Sequence, residues 1–188
     1  LLSRRQLRCV YETDCGLMED YSVEHTAQKL KELCQRAGKL VIGVEPMPYS
    51  GIPDVKKGWA VVKAADCENA KLILDTWHWV RANQPYDILT PEIAKKVISI
   101  QIDDAYERPY ADSILRDESM HDRLAPGVGQ ADTVAFLKMI KEAGIDPKVV
   151  GVEVISDNYM SKGIDWVADY TYKNTEKVLK EAWPEILD

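Results

Sequence analysis

The chain has 188 residues, of which 46% are apolar and 29% are charged, and 31 acidic side chains against 24 basic ones give a net charge of −7. This composition supports a sizeable core and excludes a disordered segment or a disulfide-held mini-protein. The acidic balance, with basic residues scattered along the chain, disfavours a nucleic-acid-binding surface.

Neither a membrane span nor a secretory signal is predicted. No run approaches 18 uncharged apolar residues, and the first eight residues carry three arginines without an apolar stretch. The four cysteines show no C-x-x-C spacing and need no disulfide framework in a chain of this length; they are Cys9, Cys15, Cys34 and Cys67. We therefore expect a protein of the reducing cytoplasm.

The first predicted unit is a helix followed by a strand. Apolar residues recur at helical spacing from Ser22, which is an N-cap candidate, to Gly38, which is placed to end the helix. The run Leu40–Val44 is continuously apolar and ends on Glu45 before two prolines. These features predict a buried strand that leads into a loop.

The same unit recurs three more times. Further helices are predicted to begin at the capping residues Asp54, Thr90 and Asp132. The strands that follow them are Ala70–Leu74, Val97–Ile102 and Val149–Val152, the last of which leads into Glu153–Ile155, and a last helix runs from about Ile164 to Trp183. Leu7–Tyr11 is a candidate fifth strand, before the first helix.

Strands that are apolar on both faces and alternate with helices predict a parallel α/β sheet, either doubly wound or closed as a (β/α)8 TIM barrel. Polar residues at the carboxyl ends of successive strands favour the barrel. A complete barrel takes roughly 250 residues. We therefore expect residues 1–188 to form one barrel domain that covers about the C-terminal four or five βα units and lacks the first strands. Open sheet edges would favour a homo-oligomer or pairing with another chain.

The acids and the amide at these strand ends suggest a metal site. They are Glu45, Asp75, Gln101 and Glu153, spread over about a hundred residues of sequence. In a barrel these side chains would converge at one mouth and form an oxygen-rich cage for a divalent ion such as Mn²⁺, Mg²⁺ or Co²⁺. Any one acid is equally well explained as a helix cap, whereas the set of four favours metal binding.

Several segments together resemble the xylose isomerase-like barrels, also called the sugar phosphate isomerase/epimerase superfamily. They are Gly43–Pro48, Leu74–Trp79 with its Asp-x-x-His pattern, Gln101–Ala105, the loop Glu118–Gly129, and Gly151–Val154. The resemblance covers residues 22–155. Two positions depart from the family pattern, because Gln101 stands where many members have histidine, and Val128 stands where an acid is frequent.

The resemblance implies a divalent-metal-dependent isomerase or epimerase of sugars or polyols. Such enzymes remove a proton next to a carbonyl through a metal-stabilised enediolate. Glu45 and Glu153 would be both metal ligands and the catalytic acid–base pair, acting on opposite faces of the carbon. Asp75 and Gln101 would serve the metal alone, with Mn²⁺ as the first choice and Mg²⁺, Co²⁺ or Zn²⁺ as alternatives.

Three further side chains are expected to bind the substrate. His78 would point into the mouth, although a core histidine is an equally good reading of the residue alone. His121 and Arg123 are predicted on a Gly/Pro-rich loop of the kind that closes over a substrate. Arg123 would pair with a substrate oxyanion or phosphate, or equally with Asp122 or Glu118.

Two other functions stay open. A lyase of the same superfamily shares the proton-abstraction step; examples are a keto-inositol or dehydroshikimate dehydratase and a C-glycoside-cleaving enzyme. The other is a non-catalytic partial-barrel subunit whose acids only cap helices. The endonuclease branch of the superfamily is disfavoured, since it needs a histidine-rich site and a basic surface, whereas this acidic chain has three histidines.

Overall fold

The computed structural model describes residues 11–12, 21–107 and 115–187. The strands are β1 (Tyr11–Glu12), β2 (Ile42–Val44), β3 (Ala70–Asp75), β4 (Val97–Ile102) and β5 (Val149–Val152). The helices are α1 (Val23–Ala37), α2 (Val55–Ala65), α3 (Thr76–Arg81), α4 (Pro91–Ala94), α5 (Leu115–His121), α6 (Thr133–Glu142), α7 (Asp157–Met160) and α8 (Ile164–Ala182), with 3-10 turns at Tyr86–Ile88 and Pro184–Leu187.

The five strands form one parallel sheet in chain order, each paired with the next. Parallel neighbours require crossover connections, and helices supply them between successive strands. The predicted α/β architecture of parallel strands alternating with helices is confirmed. Of the predicted strand Leu7–Tyr11, residues 7–10 lie outside the described residues, and Tyr11 is the first residue of β1.

Side-chain caps set the starts of the main helices, as the sequence predicted. Ser22, Asp54, Thr90 and Asp132 each accept a hydrogen bond from the backbone N–H three residues later. Each bond satisfies a donor that has no partner within its own helix. Gly38 ends α1 with a φ of 61°, a conformation that glycine adopts without a steric penalty.

One face of the sheet packs against the helices. Side chains alternate between the faces of a strand, so residues two apart share a face. Most strand residues of the main apolar core have even numbers: Ile42, Val44, Ala70, Leu72, Leu74, Ile100 and Ile102, with Val150 packed against them; the exception is Val97, which precedes a shift in the β3–β4 register. They meet buried residues of the covering helices, such as Val61 of α2 and Leu137 of α6. The odd-numbered Asp75 and Gln101 therefore belong to the opposite face of the sheet.

Three short helices were not predicted. They are α3, α5 and α7, with six, seven and four residues. Elements of this length are too short to show a helical repeat of apolar residues. Their presence corrects one expectation, because His121 is the last residue of α5 and not part of a loop.

The longest helix described is α8, with 19 residues. Its last turns bury Val178, Leu179 and Ala182 in the main core, whereas Ile164 at its start is exposed. Such a split is typical of an amphipathic helix at a protein surface. Among the residues that the structure describes, no helix is long and apolar enough to cross a membrane.

Candidate metal and catalytic site

The four predicted metal ligands lie at the carboxyl ends of neighbouring strands. Glu45 directly follows β2, Asp75 ends β3, Gln101 is the last residue but one of β4, and Glu153 directly follows β5. Asp75 and Gln101 are direct partners in the β3–β4 register. The N–H of Glu153 donates to the carbonyl of Ile102 at 3.3 Å. Since paired strands lie roughly 4.8 Å apart, the fold brings these four residues to one edge of the sheet.

Within this group, three side chains are close enough to share one ion. One carboxylate oxygen each of Glu45 and Asp75 and one ring nitrogen of His78 lie within 4.8 Å of one another, and all three residues are buried. Atoms that ligate one cation at about 2.0–2.2 Å are separated by up to roughly 4.4 Å. The donor set of two carboxylates and an imidazole therefore fits a divalent cation, with His78 as an additional candidate ligand.

The position of His78 follows from the way in which β3 turns into α3. Asp75 is the N-cap of α3, and its Oδ1 accepts a hydrogen bond from the N–H of His78 at 2.8 Å. The Asp-x-x-His spacing is therefore the spacing from a cap to the third residue of its helix, which holds both side chains on one turn. Burial, with the positive charge of Arg123, lowers the pKa of His78 to about 4; the negative charge of Asp75 raises this pKa, but by less. The ring is neutral at pH 7.

Arg123 is the cation at the centre of the site and is only 2% exposed. Its Nη1 donates to Asp75 Oδ2 at 3.1 Å, to Asp103 Oδ2 at 2.9 Å and to Glu153 Oε2 at 2.9 Å. Two of these carboxylates belong to predicted metal ligands. The predicted pairing with Glu118 does not form, because Glu118 pairs with Arg81 instead. That Arg123 contacts a substrate stays a prediction.

The carboxylates outnumber the positive charge around Arg123. Burial and the neighbouring Asp75 raise the pKa of Asp103 well above its ordinary value. Burial lowers the pKa of Arg123, but Asp75, Asp103 and Glu153 raise it by more, so the guanidinium stays charged. Even without a charge on Asp103, a single guanidinium facing Asp75 and Glu153, with Glu45 nearby, leaves an excess of negative potential that attracts cations.

A second buried ion pair fixes the helix that leads to Arg123. Arg81 of α3 and Glu118 of α5 form a salt bridge, with Arg81 Nε 3.0 Å from Glu118 Oε1. The indole N–H of Trp77 donates to the same oxygen at 3.2 Å. These contacts join α5 to α3 and so determine where Arg123, two residues beyond α5, enters the site. The sequence did not predict a role for Arg81. The one available signal was its position three residues after His78 on the six-residue α3.

His121 lies outside this cluster. Its side chain is 54% exposed, and its Nδ1 is 3.1 Å from Asp157 Oδ2 at the start of α7. The structure therefore brings together Glu45, Asp75 and Arg123 with their neighbours but leaves His121 at the rim. Its substrate-binding role stays a prediction.

The glycine-rich loop after Arg123 has a packing role. A Cβ on Gly129 would lie 2.2 Å from the carbonyl oxygen of Ala105 and 2.7 Å from Asp104 Oδ1. The same Asp104 oxygen accepts the N–H of Ala131 at 2.7 Å. Glycine is required because the loop backbone lies directly on the segment after β4. Asp104 consequently holds the loop, whereas its neighbour Asp103 belongs to the site.

Comparison with known proteins gives a consistent result. The family model described as xylose isomerase-like TIM barrel matches residues 11–173. The inosose isomerase of Bacillus velezensis is 27% identical over 174 residues, which are 90% of this chain and 60% of the relative. The inosose isomerase of Bacillus subtilis is 25% identical over 154 residues, which are 81% of this chain and 53% of the relative. The chain thus spans a little over half the length of these relatives.

A solved structure shares the fold. The IolI protein with a bound zinc atom superposes with a TM-score of 0.75 at 22% identity, over 89% of this chain and 62% of that one. The predicted partial barrel is therefore confirmed. Since the family model matches most of the chain, and its parallel strands run in the order that a barrel requires, the chain belongs to the xylose isomerase-like TIM barrel family.

Proposed function

We propose that this chain carries the catalytic site of a divalent-metal-dependent isomerase or epimerase, which removes and returns a proton next to the carbonyl of a sugar or polyol. The observation that carries the proposal is the placement of Glu45, Asp75 and His78 within 4.8 Å of one another at the carboxyl ends of the strands. Glu153 reaches the same place, because one nitrogen of Arg123 binds both Glu153 and Asp75. The similarity to inosose isomerases supports a cyclic polyol ketone as the substrate class.

The cation would be held by charged carboxylates together with neutral side chains. Glu45, Asp75 and Glu153 supply carboxylates, and Gln101 and His78 supply an amide oxygen and an imidazole. When bound, a divalent cation supplies Lewis-acid stabilisation of negative charge on substrate oxygens. The oxygen-rich set suits Mn²⁺, Mg²⁺ or Co²⁺, whereas a ligating imidazole and the zinc of the IolI structure favour Zn²⁺.

Glu45 and Glu153 are the proposed acid–base pair. Glu45 is buried, with Oε1 3.5 Å from His78 Nε2. Glu153 is more open, with 26% of its side chain exposed, and Arg123 holds its Oε2 at 2.9 Å. Glu45 contacts His78 and Glu153 contacts Arg123, so the site offers two separate carboxylates, of which one would take the proton and the other return it. His78, next to Glu45 and Arg123, is the nearest proposed substrate contact, with His121 at the rim.

Solvent exchange tests the proposal. The metal-loaded protein is incubated in D₂O with ketoses and with keto-inositols, and the products are followed by proton NMR. We expect deuterium at the carbon next to the carbonyl without elimination. The variants Glu45→Gln and Glu153→Gln should each slow exchange roughly 10²–10⁴-fold, the usual share of a general acid or base. His25→Ala, on the exposed side of α1 and outside the site, should leave exchange unchanged and serves as the control.

Two outcomes would overturn the proposal. An enone product would assign the chain to the lyases that share the first step. Exchange that is absent with every ketone, in a protein that also binds no divalent ion, would favour a non-catalytic subunit.

We further propose, as the sequence predicted, one domain over residues 1–188, assembly into a homo-oligomer or with another chain, and a cytoplasmic location. Light scattering of the purified chain tests the assembly.

A further inference from the structure

The ring of His78 lies between a donor and an acceptor. Its Nε2 is 3.2 Å from Nη2 of Arg123 and 3.5 Å from Oε1 of Glu45. An arginine guanidinium only donates hydrogen bonds and keeps its protons in proteins. A histidine nitrogen that faces such a donor must accept, because two N–H groups at 3.2 Å would repel each other. The nearer and obligatory partner of Nε2 is therefore Arg123.

We propose that Arg123 is a positioning residue that fixes His78 as the Nδ1–H tautomer, so that Nε2 accepts a hydrogen bond from Arg123 and carries no proton. In a neutral imidazole one nitrogen carries the proton and the other accepts. The assignment follows from the donor and acceptor chemistry of the two groups. It differs from the direct substrate contact that the sequence predicts for Arg123.

The surroundings of Arg123 hold it rigidly in this role. Its Nε donates to the carbonyl of Ser119 at 2.8 Å, and its Nη2 donates to Ser119 Oγ at 2.8 Å and to His78. The two N–H groups of Nη1 serve Asp75, Asp103 and Glu153. All five N–H groups of the guanidinium thus have acceptors within the chain. A substrate oxygen could gain a hydrogen bond from Arg123 only by displacing one of them.

Packing restricts the guanidinium further. The Cζ of Arg123 is 5.6 Å from the centroid of the buried Trp77 ring, within cation–π range. Ser119 Oγ is also 3.2 Å from the hydroxyl of Tyr49, whose ring meets that of His78 edge-on at 5.8 Å. The same small group of residues therefore orients both members of the Arg123–His78 pair.

The tautomer decides what His78 does in the site, and this consequence rests on the proposed function. Nε2 has one lone pair, which accepts from Arg123 in this structure, so it would accept a hydrogen bond from a substrate hydroxyl or ligate a cation next to Glu45 and Asp75 only when Arg123 gives up that contact. It does not donate to a carbonyl oxygen. The ketone oxygen would then depend on the cation, and His78 would recognise the neighbouring hydroxyl group.

Nitrogen-15 NMR of the histidine rings tests the proposal in the metal-free protein at pH 7. The chain has three histidines, and the exposed His25 and His121 serve as internal references. The His78 signals are identified by their loss in His78→Gln. Protonated and unprotonated ring nitrogens have widely separated shifts, so one spectrum gives the tautomer. We expect His78 to carry its proton mainly on Nδ1.

Substitutions distinguish the effect of Arg123 on the His78 tautomer from the effect of the neighbouring residues. In Arg123→Met the remaining neighbour of Nε2 is Glu45, an acceptor, so the major tautomer should reverse to Nε2–H. In Arg123→Lys an amine that still donates should restore Nδ1–H at least in part. Ser119→Ala removes a partner of Arg123 but keeps the contact with His78, and should leave the tautomer unchanged.

Two results would overturn the inference. One is a wild-type His78 with its proton on Nε2, which decides the matter even if Arg123→Met fails to fold. The other is a folded Arg123→Met variant whose His78 keeps the Nδ1–H tautomer. The spectra need no substrate, so they stay informative whether or not the exchange assay of the proposed function succeeds.

Discussion

Two arginines lie on the buried Trp77 ring, each with Cζ 5.6 Å from the ring centroid, and they serve different ends. Arg81 pairs with a single carboxylate, that of Glu118, so the charges of this pair are balanced. Arg123 faces three carboxylates, those of Asp75, Asp103 and Glu153. The balanced pair holds two helices together, whereas the unbalanced cluster retains negative charge for a ligand to neutralise.

The largest expected effect comes from breaking the balanced pair. Glu118→Ala leaves the guanidinium of Arg81 and the indole N–H of Trp77 buried without their carboxylate partner. An uncompensated buried charge typically costs about 3–5 kcal/mol of the free energy of unfolding. Urea unfolding followed by tryptophan fluorescence measures the change.

An exposed ion pair supplies the control for that variant. Glu185 bonds Lys141 at 2.9 Å, and 64% of its side chain is exposed. Solvent already screens such a pair, so Glu185→Gln should leave the unfolding midpoint unchanged. If Glu118→Ala behaved like Glu185→Gln, the idea that the Arg81 pair fixes α5 to α3 would have to be abandoned.

The next effect concerns the unbalanced cluster and is measured as metal affinity. Asp75→Asn keeps an N-cap for α3, since asparagine caps as well as aspartate, but removes a charged candidate ligand. We expect titration calorimetry with Zn²⁺ or Mn²⁺ to show a dissociation constant at least 100-fold larger, which is a loss of about 2.7 kcal/mol of binding free energy. When the free metal concentration is 100 times the dissociation constant, the free energy of unfolding of the wild-type protein should rise by about the same amount.

Asp103→Asn is the matched variant, because Asp103 also binds Arg123 but is not among the three clustered ligand groups. Its effect on the dissociation constant should stay below tenfold. Equal losses in both variants would mean that the total charge of the cluster, and not the ligand set, determines metal binding.

The sequence was sufficient to predict which polar residues lie at the carboxyl ends of the strands. Parallel strands all present their carboxyl ends on one side, so an acid or an amide at each strand end converges whatever its distance along the chain. Glu45, Asp75, Gln101 and Glu153 lie at such ends. Capping residues likewise predicted the starts of α1, α2, α4 and α6, because a cap is a local signal.

The centre of the cluster was not predictable in the same way. Arg123 binds acids 48, 20 and 30 residues away, and its position depends on the seven-residue α5 and its buried contact with α3. Short helices have no periodic signal, and the partner of a buried arginine depends on tertiary geometry. Asp103 and Asp104 show the same limit, because these adjacent acids serve the site and the glycine-rich loop respectively.

The smallest expected effect tests two aspartates that have the same local role. Asp54 caps α2 by accepting the N–H of Lys57 at 2.7 Å, and Asp75 caps α3 by accepting that of His78 at 2.8 Å. Asp75 uses Oδ1 for its helix and Oδ2 for Arg123, so one side chain joins the cap to the site. Asp54→Ala should cost about 1 kcal/mol of unfolding free energy, the usual value of a cap, and Asp54→Asn much less. Calorimetry should show an unchanged metal affinity in both variants, because capping alone does not create a ligand; a weakened affinity in Asp54→Ala would show that the helix start, and not the second oxygen, distinguishes Asp75.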